Sequence, residues 1–405
     1  MTERSALSSP APDFLDRVLS RSVRLVLIVL CALVPTVYVI RQYQHRPDLT
    51  QMILFGGDKM PRALPEIRQL NPEVDSPDGY DGQFYAQIAL DPTLRRPEFG
   101  LLLDDPMERG QRIVLPALAY VFGFGRPQVI LFVYALLNLV FWYGLLVALL
   151  RWTHARTVRD FLVLYAILLT TGALISIERS LTDLPAVTFG FLALGLADAP
   201  AVPLLALAIL TKPTSTLFLT RYLLPLPTTL GAGLKRIGWG VLALVPTVLW
   251  IAYLVHTLHE PMNDGGNLAP PFIYGWQKLQ AAVAMLAATR FEMHWEDITP
   301  WEWNLGEVLT LLCLAVQALF LFLQPRPRDP VWIMGLAFAS LFLCLSHNVY
   351  AEQIASSRTV LPLTIAFNLL LRHEPRPAIF WAWFIPGNLG LFVIAHQMIA
   401  YPWWP

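Results

Sequence analysis

The sequence predicts an all-α protein that crosses a lipid bilayer many times, in a bundle of about ten or eleven transmembrane helices. Three observations predict it. Of 405 residues, 56% are hydrophobic and 14% are charged, whereas soluble domains carry roughly 25% charged residues. The apolar run 129–150 is long enough to cross a hydrocarbon core about 30 Å thick. The arginines recur between apolar runs, as they do in loops that set the orientation of a membrane protein.

The elements follow in order. Residues 1–24 are polar, contain Asp13 and Asp16, and carry Arg4, Arg17, Arg21 and Arg24 ahead of the first span at 25–40. That excess of positive charge puts a short N-terminal segment in the cytoplasm, and without a small-residue cleavage site the first span reads as uncleaved. The remainder, 25–405, reads as a single integral membrane domain. It carries two large external loops, 41–126 and 258–303. Residues 41–110 of the first loop hold twelve of the 29 acidic residues.

The apolar piece 112–124 is short for a crossing at a rise of about 1.5 Å per residue. It reads as an amphipathic helix lying flat on the outer face, so that 127–150 runs inward to Arg151, His154, Arg156 and Arg159. Spans at 161–177 and 184–197 follow, joined by the turn from Glu178 to Asp183. Residues 202–234 read as a hairpin broken at Lys212-Pro213 and near Pro225 and Pro227, with Lys235 and Arg236 cytoplasmic. Then come a span at 237–257, a second flat piece at 279–289, and spans at 304–324, 331–346, 359–371 and 379–397. Tyr401, Trp403 and Trp404 close the chain as an aromatic interface anchor.

Cys31, Cys313 and Cys344 sit in apolar segments and offer no disulfide or metal spacing. Neither Asp104-Asp105-Pro106, which is common turn chemistry, nor His256, His259 and His347 form a ligand set, so no metal residue is assigned. Nothing marks the chain as a nucleic-acid binder.

Several polar residues are out of place in a membrane. Asp81 lies in Asp78-Gly79-Tyr80-Asp81-Gly82, where the glycines allow a turn that aims a carboxylate. It reads either as the cap of a helix starting near Gln83 or as a catalytic group, with Tyr85 beside it and Asp78 as the rival acid. Lys212, one of four lysines, precedes Pro213 in an apolar stretch. Either it snorkels to an interface or it meets an anion in a cavity. Asp183 reads as a salt-bridge partner of Arg179 four residues away, or as a binding group. Arg109, Arg112 and Arg358, the last following Glu352, suit a phosphate that they can hold bidentately.

Taken in order, these segments resemble the GT-C superfamily of membrane glycosyltransferases, in the branch of polyprenyl-phosphate-dependent mannosyltransferases and aminoarabinose transferases. Asp78 through Ala89 resembles the acidic signature of its first external loop, and Gln111 through Gly123 its proline-containing flat helix. Arg179 through Leu184, Leu210-Thr211-Lys212-Pro213 and Ser357 through Leu363 are similar to later signature segments. Here the lysine segment lacks a glycine and the flat helix lacks its His-Pro-Pro-Leu form.

The resemblance implies an inverting transfer of a sugar from a polyprenyl-phosphate donor to an acceptor hydroxyl on a glycan, lipid or protein. Asp81 is then the general base. Asp78, Tyr85, Arg109, Arg112, Asp183, Lys212, Glu352 and Arg358 bind substrate. The lipid-linked sugar donor is required, and a divalent metal stays open as a further requirement. The arginine-heavy composition points to the plasma (inner) membrane, and the distribution of arginines puts the site on its external or periplasmic face. A transporter or lipid flippase without covalent chemistry is the alternative, since it also explains the intramembrane Lys212 and 33 prolines.

Overall fold

A computed structural model describes residues 14–224, 229–259, 266–292, 299–351 and 355–400. Its helices carry almost all of the regular structure. Helix α1 (Arg21–His45) starts at Ser20, whose hydroxyl accepts from the backbone N–H of Val23 at 3.3 Å. That bond satisfies one of the donors a helix leaves open at its start.

The first loop is folded. Strands β1 (Phe55–Gly56) and β2 (Val74–Ser76) pair in parallel, and the short helix α2 (Pro65–Leu70) connects them. Helices α3 (Gly82–Ile88), α4 (Phe99–Leu102), α5 (Pro106–Gly110) and α6 (Val114–Phe122) follow. Helix α6 occupies the piece expected to be a separate flat helix, and Gly123 and Phe124, the latter at positive φ, separate it from α7 (Pro127–Thr153).

The stretch expected as one span at 161–177 is two helices, α8 (Val158–Leu168) and α9 (Thr171–Glu178), bent by 45°. Thr170 starts the second helix, its hydroxyl accepting from the N–H of Ala173. Trp142 of α7 donates to the carbonyl of Leu168 at 2.9 Å, which meets a backbone group that the break would leave open in lipid.

Helices α10 (Asp183–Leu194) and α11 (Asp198–Thr211) pack as a hairpin that ends at Lys212. Pro213 cannot continue a helix, and the chain turns into a 3-10 helix, Pro213–Leu219, and then α12 (Thr220–Leu223). Helix α13 (Leu230–Leu258) begins earlier than expected, so Lys235 and Arg236 are helical residues and not part of a loop. Good helix formers such as Lys and Arg do not stop a helix, and Thr229 caps it ahead of them. The piece expected at 279–289 is a longer helix, α14 (Ile273–Ala288), which packs along α15 (Pro300–Leu323). Helices α16 (Pro330–Leu343), α17 (His347–Ala351), α18 (Ala355–Thr359), α19 (Leu361–Leu371) and α20 (Pro377–Ala400) complete the bundle.

Among the described residues, α1, α7, α13 and α15 are long and apolar enough to cross a membrane, and the bent α8–α9 pair makes a fifth candidate. Helices α10, α11, α16 and α19 are apolar but shorter. The chain is thus an all-α protein built for a bilayer. Helices α7 to α11 and α15 to α20 form its core, while α1 and α13 expose most of their apolar side chains. The expected aromatic anchor at 401–404 lies outside the described residues.

Candidate functional site: a buried carboxylate and arginine cluster

One end of the bundle, where α9 stops, α10 starts and α11 stops, gathers charges that a membrane protein rarely buries without a use. The turn carrying Asp81 is fixed by its backbone. Tyr80 donates its N–H to the carbonyl of Leu54 at 2.9 Å. Gln83 accepts from the N–H of Gly56 at 3.0 Å and donates to the carbonyl of Asp78 at 2.8 Å. Gly79 has a positive φ of 67°. At Gly82 a Cβ would lie 2.4 Å from the carbonyl oxygen of Arg179, so only glycine lets the start of α3 rest on the turn after α9.

Asp81 is the residue before α3, yet its side chain makes no capping hydrogen bond and its backbone is already helical. The carboxylate goes to arginines instead. One oxygen lies 2.9 Å from Nη1 of Arg109, and the other accepts from Nη2 of Arg358 at 3.0 Å. Arg358 also donates Nη1 to Asp183 at 3.1 Å, so a single guanidinium bridges two carboxylates. The second oxygen of Asp183 is in direct contact with the ammonium of Lys212, which also lies 3.4 Å from the hydroxyl of Thr359. Asp183 is 1% exposed at its side chain and Lys212 10%, so Lys212 is paired inside the protein and does not snorkel. Asp183 does not pair with Arg179, which stacks 4.3 Å above the ring of Tyr80.

A second layer holds the arginines. Asp105 caps α5 by accepting from the N–H of Glu108 at 2.7 Å, and α5 presents Arg109. Asp104 takes Nε and Nη2 of Arg109 at 2.8 and 2.7 Å. Arg112 pairs with Glu108 at 2.6 Å, one helical turn earlier. The hydroxyl of Tyr85 accepts from both Arg109, at 3.1 Å, and Arg112. From the far side, Trp250 of α13 donates to the carbonyl of Gly110 at 2.9 Å and anchors α5.

These contacts set the protonation of Asp81 and Tyr85. Burial pushes the Asp81 carboxyl up, but the guanidiniums of Arg358, Arg109 and Arg112 outweigh burial and hold it well below the usual carboxylate range. Burial raises the Tyr85 phenol, which keeps it a neutral hydroxyl. The cluster therefore presents an ionised carboxylate inside a ring of fixed cations, suited to an anion and to a hydroxyl at one place.

Of the residues singled out from sequence, Asp81, Tyr85, Arg109, Arg112, Asp183, Lys212 and Arg358 are brought together. Asp78 is not: it is exposed, and its backbone carbonyl, held by Gln83, is its contribution. Glu352 lies outside the described residues. Asp104, Glu108 and Thr359 were missed. The Glu108/Arg112 spacing of four was the one available signal for any of them. No group of three or more metal-ligating side chains occurs among the described residues.

Fold and site together define an all-α membrane protein with a buried ion network at one end of its helix bundle. No protein family, no curated protein and no solved structure matches the chain.

Proposed function

We propose that the chain is an inverting GT-C-type glycosyltransferase that moves a sugar from a polyprenyl-phosphate donor to an acceptor hydroxyl at the external face of the plasma membrane. One observation carries the reading: Arg109, Arg358 and Lys212, far apart in sequence, converge on two carboxylates, the largely enclosed Asp81 and the fully buried Asp183. Such a cluster joins a phosphate-binding function to a base.

In the reaction, the acceptor oxygen bonds to the anomeric carbon as the bond from that carbon to the phosphate oxygen breaks. Asp81 takes the acceptor's proton, and the leaving group departs as the polyprenyl phosphate. That phosphate leaves without a proton donor, so the cluster has to stabilise negative charge growing on its oxygen. Guanidinium donors already fixed in place do this well. Arg112 has a buried Nε with no hydrogen-bond partner among the described residues, a further donor for that charge. Asp183 orients a sugar or acceptor hydroxyl and keeps Lys212 and Arg358 in place.

The test uses protein-containing membranes supplied with a radiolabelled polyprenyl-phosphate sugar. Wild type should release label from the lipid into an acceptor fraction, and Asp81→Asn should cut the rate by at least a hundredfold. An undiminished rate in Asp81→Asn refutes the catalytic assignment. Label that crosses the bilayer while still attached to its lipid replaces this reading with that of a transporter.

A further inference from the structure

Asp81 occupies the very donors that a phosphate would need. Each of its two oxygens faces one guanidinium nitrogen, of Arg109 at 2.9 Å and of Arg358 at 3.0 Å. Both guanidiniums are held from behind by a different acid, Arg109 by Asp104 and Arg358 by Asp183. Aromatic faces steady them as well: Arg109 lies 4.9 Å from the ring of Phe84 and Arg358 5.5 Å from that of Tyr80. The two donors facing Asp81 thus keep their positions whether or not Asp81 is there. Two fixed N–H groups aimed at two oxygens of a carboxylate fit two oxygens of a phosphate equally well.

We propose that Asp81 is the resting occupant of an anion fork formed by Arg109 and Arg358, and that the phosphate of a polyprenyl-phosphate ligand displaces it. The inference rests on the lipid-phosphate reading above and adds how the site is switched on. Exchange of one anion for another leaves the charge of the fork unchanged, so no cation is stranded. The displaced carboxylate loses both guanidiniums, comes to lie beside a negative phosphate and regains the basicity that the resting site suppresses. The ligand that needs a base thereby frees it. An empty site keeps Asp81 a poor base.

The local structure permits the exchange as a side-chain movement. Asp81 caps nothing, so its rotation breaks no helix bond. Its backbone stays in place because Gly82 is pressed against the carbonyl of Arg179 and Tyr80 is bonded to Leu54. The motion is a rotation about the Cα–Cβ bond, and the loop does not move.

Dicyclohexylcarbodiimide modifies carboxyl groups only when they are protonated, and its labelling of Asp81 can be read by peptide mass spectrometry of the purified full-length protein at pH 6. Farnesyl phosphate is the probe, farnesol the control, and quenching of tryptophan fluorescence reports binding independently. Saturating farnesyl phosphate should raise labelling of Asp81 at least tenfold, farnesol should leave it unchanged, and Asp81→Asn should lack the label. Should farnesyl phosphate bind while labelling of Asp81 stays level or falls, the exchange is overturned and the lipid-phosphate reading stands. Should it fail to bind, both are overturned.

Discussion

Replacing Asp183 by Asn and Lys212 by Met, singly and together, exposes an asymmetry in the buried ion network. Asp183 holds two cations, Lys212 and Arg358, whereas Lys212 has Asp183 and, at 3.4 Å, the hydroxyl of Thr359. Removing one partner of a buried ion pair costs roughly 3–5 kcal/mol, because the other charge is left uncompensated. Asp183→Asn strands an ammonium and falls at the upper end. Lys212→Met falls at the lower end, since one guanidinium about 4 Å away still contributes about 4 kcal/mol to the carboxylate at an effective dielectric of about 20. The double variant buries neither charge of the pair and is milder than Asp183→Asn alone.

An unfolding entropy of about 2.1 cal/mol/K per residue, over 405 residues, makes each kcal/mol worth about 1.2 °C. Thermal melts in detergent, followed by tryptophan fluorescence, should therefore fall by about 6 °C for Asp183→Asn and about 4 °C for Lys212→Met. The double variant should lose no more than about 4 °C. Additive losses near about 10 °C in the double variant, or equal losses in the two single ones, would refute the reasoning.

Two further outcomes follow from the same contacts. Asn138 is fully buried in α7, and neither of its amide atoms has a hydrogen-bond partner among the described residues. Asn138→Leu relieves a desolvation penalty of about 1–3 kcal/mol and should raise the melting temperature; a drop would mean that the amide is engaged in the working protein. Asp81 has its folded-state pKa depressed, so the stability it contributes is present above the unfolded value of about 3.9 and is lost as pH falls through the folded value. Wild type minus Asp81→Asn should give a melting difference that is level from pH 7 to about 5 and shrinks below about pH 4; a difference that decays between pH 7 and 5 would contradict the depressed value.

The bilayer architecture was legible because hydrocarbon imposes length and apolarity on every span, and α1, α7 and α15 lie close to where those rules put them. The separate helix at α6 was legible for the same reason, being too short to cross. The bend in α8–α9 was not. The contacts that accommodate it are tertiary: Gly172 lies against α18, where a Cβ would meet the carbonyl oxygen of Ser357 at 2.7 Å, and Trp142 donates to the carbonyl of Leu168. Hydropathy sees neither contact.

Within the site, Lys212 stood out as a charge in an apolar stretch and Arg358 as an arginine suited to phosphate, and both are in the cluster. Which acid each would meet was not legible. Arg179 is four residues from Asp183, the favourable helical spacing, yet the turn between them is not helical: Ser180 has a positive φ of 48°. The same φ directs Arg179 toward Tyr80 and leaves Asp183 to residues far along the chain. Asp104 looked like turn chemistry because its partner, Arg109, is brought to it only by the fold of α5.

The bridge made by Arg358 also dictates an order of assembly. Arg358 follows Asp81 by 277 residues and Asp183 by 175, whereas Lys212 follows Asp183 by only 29. During synthesis the α10–α11 hairpin can neutralise its own acid as soon as Lys212 has emerged. Asp81 can likewise meet Arg109 early, but it is joined to Asp183 only after α18 is in place. A chain that stops before Arg358 can therefore insert its first helices and settle its hairpin, yet it cannot close the cluster. Arg358 acts as a keystone: until it is made, Asp81 and Asp183 stay unjoined.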